Sequence, residues 1–252
     1  MRYEIIGQIS PIINVTLDEG EQLRTQKGAM ICMDGTMRMD TEVGDVGKAF
    51  QRYLTKENVF LNIFTAQAHN SQISLSSTFP GEILDIEMDG DIAIMAQQTA
   101  FLASTTNIDV SVGFTKNLGA AFFGGESFML QKIQGEGMVF LETAGNVVTK
   151  ELDDGEVLYV DTSNLVAFTE DVAFEVQASR GFKNILFGGE GLFLTKMTGP
   201  GFVWVQSVTL DEFAERLQPY LKTIQVQTPP NSSSNNSTGV SLKTLMDMAR
   251  RD

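Results

Sequence analysis

The stretch Phe123-Gly124-Gly125-Glu126-Ser127-Phe128-Met129-Leu130-Gln131-Lys132 returns 64 residues later as Phe187-Gly188-Gly189-Glu190-Gly191-Leu192-Phe193-Leu194-Thr195-Lys196. The register then holds without a gap: Gly135 matches Gly199, Gly137 matches Gly201 and Val139 matches Val203. From Phe123 to Thr143, nine of 21 positions are identical to their partners in Phe187 to Ser207. A fixed period of this length marks a duplicated structural unit, and it governs how each local element is read.

The similarity extends backward from this core. Gly90-Asp91-Ile92 resembles Gly155-Glu156-Val157, and Val110-Ser111-Val112 resembles Phe174-Glu175-Val176. A fainter first copy opens with Leu17-Asp18-Glu19-Gly20-Glu21, close to Leu152-Asp153-Asp154-Gly155-Glu156. It continues with Glu57-Asn58-Val59-Phe60-Leu61, which parallels Glu190-Gly191-Leu192-Phe193-Leu194. The units are therefore expected over about residues 1–78, 79–145 and 146–208.

Each unit reads as strands. Ile92–Ala96, Val157–Val160 and Phe202–Val205 are short, rich in branched or aromatic residues, and bounded by Gly, Asp or Asn. Met138–Leu141 and Phe202–Val205 are apolar at consecutive positions, which predicts strands covered on both faces. The fold class that follows is all-β, with three repeated sandwich units and a C-terminal helix. The preferred packing has pseudo-threefold symmetry; three units in a row is the alternative.

After the third unit the period changes. Thr209-Leu210-Asp211-Glu212 has the form of a capping box, and Phe213, Leu217 and Leu221 follow at four-residue spacing. This predicts a helix over 210–222, packed on the β body and interrupted by Pro219. Residues 225–239, with Pro229, Pro230 and a Ser/Asn-rich run, read as a disordered linker. Beyond it, over 240–252, Leu242, Leu245, Met246 and Ala249 share one face of an amphipathic peptide that could enter a partner's groove.

Composition narrows the function. The formal net charge is −14 with no basic cluster before the last few residues, which disfavours nucleic acid and anionic lipid. One cysteine forbids an intrachain disulfide and suits a reducing compartment. The longest apolar runs fall far short of a membrane span, and no targeting pattern opens the chain. The expectation is a cytoplasmic protein with no direct membrane insertion.

The search for chemistry finds no catalytic constellation, metal set or cofactor motif. His69 is the single histidine, too few for a cupin-like metal site, and reads as a surface loop residue beside Asn70 and Ser71. Cys32, within Met30-Ile31-Cys32-Met33, is expected as a buried thiol filling a core. The Gly-Gly pairs lack the spacing of a phosphate loop. Glu57, Glu126 and Glu190 fall at matched positions and are the candidate binding residues, able to form a carboxylate ring under threefold symmetry. The alternative is that each accepts hydrogen bonds from its own turn.

The repeated pattern Phe-Gly-Gly-Glu-x-x-Phe/Leu-Leu-x-Lys-x-x-Gly-x-Gly resembles the bacterial counterparts of the altered-inheritance-of-mitochondria, or mitochondrial biogenesis, family over residues 1 to about 222. That resemblance implies a triplicated fold like the tryptophan RNA-binding attenuation protein, a short relative of the double-stranded β-helix. It carries no catalytic residues and no cofactor. The expected function is a non-enzymatic binding or scaffold protein, engaging protein partners or itself through its β body and tail. The alternative is a binder of a small ligand or cation at the pseudo-threefold centre.

Overall fold

A computed structural model describes residues 1–42, 61–116, 128–178 and 193–217. Strand β1 (Arg2–Ile6) precedes a first set of six: β2 (Ile12–Leu17), β3 (Gln22–Gln26), β4 (Met30–Met33), β5 (Met37–Glu42), β6 (Leu61–Ala66) and β7 (Ser71–Ser76). The second set is β8 (Ile83–Asp89), β9 (Ile94–Gln97), β10 (Phe101–Thr105), β11 (Asp109–Lys116), β12 (Phe128–Gln134) and β13 (Glu136–Glu142). The third is β14 (Val147–Leu152), β15 (Val157–Asp161), β16 (Leu165–Thr169), β17 (Ala173–Ala178), β18 (Phe193–Thr198) and β19 (Gly201–Gln206). Helix α1 (Leu210–Leu217) follows. The described fold is all-β apart from this helix and two short 3₁₀ turns.

The pairing repeats as the sequence does. Ile94 faces Ile133 as Leu158 faces Met197, and Ile83 faces Glu142 as Val147 faces Gln206, each 64 residues apart. This register puts Gly90 level with Asp154 rather than Gly155. The one-residue difference is taken up in the turn, where both glycines hold positive φ, +90° and +76°. The first set keeps the same turn chemistry despite its divergence. The Asp18 amide donates to Glu21 Oε2 at 2.8 Å, and the Asp153 amide to Glu156 Oε2 at 2.9 Å.

Four antiparallel sheets result, ordered β1-β2-β7-β4, β5-β6-β3-β10-β13-β8, β11-β12-β9-β16-β19-β14 and β15-β18-β17. Each set divides its six strands between two consecutive sheets. Two joints connect the sets: β10 pairs with β3, and β16 pairs with β9. Among the described residues β4 and β15 have no such joint, so the four sheets are linked in a row from the first set to the third.

Three cores fill the spaces between consecutive sheets. The first gathers Ile13, Val15 and Leu75 against Leu23, Phe64 and Phe140. The second sets Phe101, Val139 and Leu141 against Ile94, Ile133 and Val166. The third packs Met95, Leu130 and Phe168 against Val160 and Met197. The two middle sheets are thus apolar on both faces. In β13, Val139 and Leu141 enter the second core while Phe140, between them, enters the first. Each such side chain, taken from water, contributes about 1.5–3 kcal/mol. Expected two-sided cover over Phe202–Val205 holds for Val203, Trp204 and Val205, but Phe202 is 40% exposed.

The repeated Gly-x-Gly has a steric cause. A Cβ on Gly137 would stand 2.1 Å from Thr105 Oγ1, and one on Gly201 would stand 2.2 Å from Thr169 Oγ1. Both glycines hold φ above +130°. The hydroxyls they admit accept from the next amides, Met138 N at 3.2 Å and Phe202 N at 3.0 Å. Helix α1 begins beside Thr209, whose carbonyl accepts from the Phe213 amide at 3.1 Å. Phe213 meets Phe79 edge to face, ring centroids 4.9 Å apart, seating the helix on the β body.

Three outcomes follow for stability. Gly201→Ala should lower the unfolding free energy by about 2–4 kcal/mol in chemical denaturation, because strain and overpacking add. Gly20→Ala, where φ is +85° but no atom lies within 4 Å of the added methyl, should cost only about 1 kcal/mol. Phe140→Ala, at a side chain with no exposure, should cost about 3–5 kcal/mol.

Candidate functional site

Four strands end in residues that carry side-chain amide or carboxylate groups at one place. Gln26 closes β3, Gln97 closes β9, Glu142 closes β13 and Gln206 closes β19. Two structural positions are involved, each used twice. Gln26 faces Leu61 as Gln97 faces Leu130, and Glu142 faces Ile83 as Gln206 faces Val147. The side chains border a cavity of about 230 Å³, with Thr78, Thr99 and Thr143 adding hydroxyls and Phe79, Ala100, Ala144 and Val166 adding apolar surface.

The wall is knit by hydrogen bonds across all three sets. Gln26 Nε2 donates to Glu142 Oε1 at 2.6 Å, and the Thr78 amide donates to Glu142 Oε2. Gln97 Nε2 donates to the Thr162 carbonyl at 3.2 Å. Gln206 Oε1 accepts from the Ala144 amide at 2.9 Å. The connections between sets run alongside: the Gly145 amide donates to the Pro80 carbonyl at 2.9 Å, and a Cβ on Gly81 would overlap the Thr143 carbonyl.

Glu142 is the electrostatic centre of the cavity. It is only 8% exposed, and burial pushes its carboxyl up from the ordinary value against the opposing pull of the Gln26 and Thr78 donors. Its donors, the Gln26 amide and the Thr78 amide and hydroxyl, are all neutral. A buried carboxylate held by amides favours any positive charge or strong donor placed beside it. No Lys or Arg lines the cavity among the described residues.

The other expectations from sequence fare differently. Glu57, Glu126 and Glu190 lie outside the described residues, as do the Gly-Gly pairs, the linker and the tail residues Leu242, Leu245, Met246 and Ala249. His69 stands in the turn after β6, its side chain 75% exposed and its Nδ1 3.5 Å from Asp18 Oδ1. Cys32 is exposed rather than buried, because β4 lies at the edge of its sheet. Among the described residues, no group of three or more His, Cys, Asp or Glu is placed to hold a metal ion. Nor is any described helix long and apolar enough to cross a membrane. The cavity residues were within reach of the sequence: the 64-residue register aligns Glu142 with Gln206, two polar residues closing apolar strands.

Comparison with known proteins gives a consistent family. A protein of Streptococcus pyogenes, uncharacterised, is 25% identical over 236 residues, covering 88% of this chain and 92% of its own length. A crystal structure of a Streptococcus pyogenes protein superposes with a TM-score of 0.72 at 22% identity, covering 87% of this chain and 99% of that one, which shows a shared fold. Altered inheritance of mitochondria protein 24 of Emericella nidulans is 26% identical over 171 residues, 67% of this chain. The chain spans about 41% of that fungal relative's length. None of these names states an enzymatic activity. The family described as mitochondrial biogenesis AIM24 matches over residues 3–208, and the chain belongs to it.

Proposed function

We propose that this chain is a non-catalytic binding protein, and that the cavity at the strand ends takes a compact ligand bearing an organic ammonium group. The observation that carries the reading is Glu142, a nearly buried carboxylate whose hydrogen-bond donors, all from Gln26 and Thr78, are neutral. A primary ammonium would supply the missing charge, and the amides and threonine hydroxyls would receive its polar surroundings. Phe79, Ala100 and Val166 would cover a short alkyl portion. About 230 Å³ lies below the usual range for drug-sized pockets, so the ligand is small. One carboxylate among amides offers recognition but no second group to complete a proton transfer. The site lies where strand ends of the three sets meet. A scaffold role, with the β body engaging proteins, is favoured by a separate observation at the two ends of the row.

Titration calorimetry with butylammonium and with butanol checks the ligand class. Butylammonium should bind and butanol should not; equal binding of the alcohol, or binding of neither, overturns the proposal. Glu142→Gln should weaken butylammonium binding about 30-fold or more, since loss of a buried charge partner costs about 2–5 kcal/mol. Thr99→Phe, at an exposed position on the cavity rim, should block binding without touching the core.

The pH dependence has a defined sign. With its folded carboxyl raised, Glu142 leaves the folded state holding a proton that the unfolded state has lost, from about pH 4.3 upward. Stability therefore falls as pH rises from the unfolded value to the raised folded value. Glu142→Gln removes that decline, so the stability of the wild type relative to the variant should drop across that window in denaturant titrations. Butylammonium binding should strengthen over the same window, as the carboxylate ionises.

A further inference from the structure

We infer that β4 and β15 are the two halves of a third joint, made between copies of this chain, in which β15 of one copy adds antiparallel to β4 of the next. The row supplies its own precedent. Strand β10 joins β3, and β16 joins β9, by the same pairing: Ala103 opposite Thr25 with Ser104 opposite Arg24, and Ala167 opposite Ala96 with Phe168 opposite Met95. Strand β4 is the counterpart of β10 and β16. All three pair with the strand beside them through the same irregularity, between Met30 and Cys32, Phe101 and Ala103, and Leu165 and Ala167. Strand β15 is the counterpart of β3 and β9, since Leu158 faces Met197 as Leu23 faces Phe64 and Ile94 faces Ile133. The equivalence sets Cys32 opposite Val160 and Met33 opposite Tyr159 across the new joint.

Exposure follows the same division. Ile31 is 50% and Met33 38% exposed, whereas their counterparts Leu102, Ser104, Val166 and Phe168 are at most 1% exposed. Tyr159 is 58% exposed where Met95 is 8%. These residue types match what the inner joints bury, placed where no described strand covers them.

A second observation concerns the remaining sheet edges. Sheets protect open edges from pairing by placing charge on them. The edges β1, β5, β8, β11, β14 and β17 each carry charge, for example Arg2 and Glu4, Arg38 and Asp40, or Lys150 and Glu151. Strand β4 carries none, and β15 has none before its last residue, Asp161. The two unprotected edges are the two that would complement each other. A contact of this kind is heterologous, so it extends head to tail until it closes. The net charge of −14 opposes it, and salt should promote it.

Sedimentation velocity over a range of protein concentration, at low salt and at about 0.5 M salt, provides the test. The wild type should form dimers and larger species, more readily at high salt. Ile31→Lys and Tyr159→Lys should each reduce association at least about tenfold while keeping native circular dichroism, since each would bury an unpaired charge in the joint. Mixing these two variants should restore a dimer and nothing larger, because one retains an intact β15 and the other an intact β4. Val160→Cys, with Cys32 the sole native cysteine, should give covalent oligomers on diamide oxidation. A wild type that stays monomeric throughout overturns the inference. So does an unaltered Tyr159→Lys, which would signal a β4–β4 contact. In the Val160→Cys variant, a disulfide from Cys32 to the introduced thiol at monomer size would overturn it too, by showing that the row closes within one chain.

Discussion

The sharing of sheets between successive sets is the constraint on which the rest of the structure depends. Each set of six strands donates three to one sheet and three to the next, and the joints β3–β10 and β9–β16 fuse the halves. Each core is built mainly by one set and completed by its neighbours. The first core already contains Phe140 and Leu102 from the second set, and the third contains Met95 and Leu130 from it. A single unit would leave the outer faces of its two sheets open, so part of the stability comes from neighbours stacked in order. The same arrangement makes the middle sheets apolar on both sides and the end sheets apolar on one.

That division places polar groups at particular points. The last residues of four inner strands are polar, and two repeats of the same position bring Gln26 and Gln97, then Glu142 and Gln206, to one cavity. The repeat therefore builds a site without any motif of its own. Divergence between copies supplies the chemistry: one copy has glutamate at the end of its strand where the next has glutamine. Burial then makes the charge on that carboxylate costly, and a neighbouring cation correspondingly welcome.

Much of the fold was legible from residues. The 64-residue period survives in the strand pairing, and the Gly-x-Gly signature is explained by two threonine hydroxyls lying against the backbone. The continuous apolar run Val139-Phe140-Leu141 spoke for cover on both faces, and both neighbouring cores receive it. From sequence Cys32 reads as buried, because an apolar run looks alike in a middle strand and at an edge, whereas the structure exposes it. Burial is set by what lies next to a strand, and Met30-Ile31-Cys32-Met33 carries no sign of its neighbour. The cavity was only half visible for a related reason. Gln26 and Gln97 are ordinary polar residues until the sheets bring their strand ends together.

The sequence by itself determined the strands, their repetition and the family. Those follow from local sterics and from periodicity, which each segment carries with it. Tertiary structure alone decided that successive sets share sheets in a row, that Cys32 stands exposed at an edge, and that a cavity opens beside Glu142. Which strands become neighbours depends on the twist and stacking angle accumulated over many strands. No single residue encodes that sum.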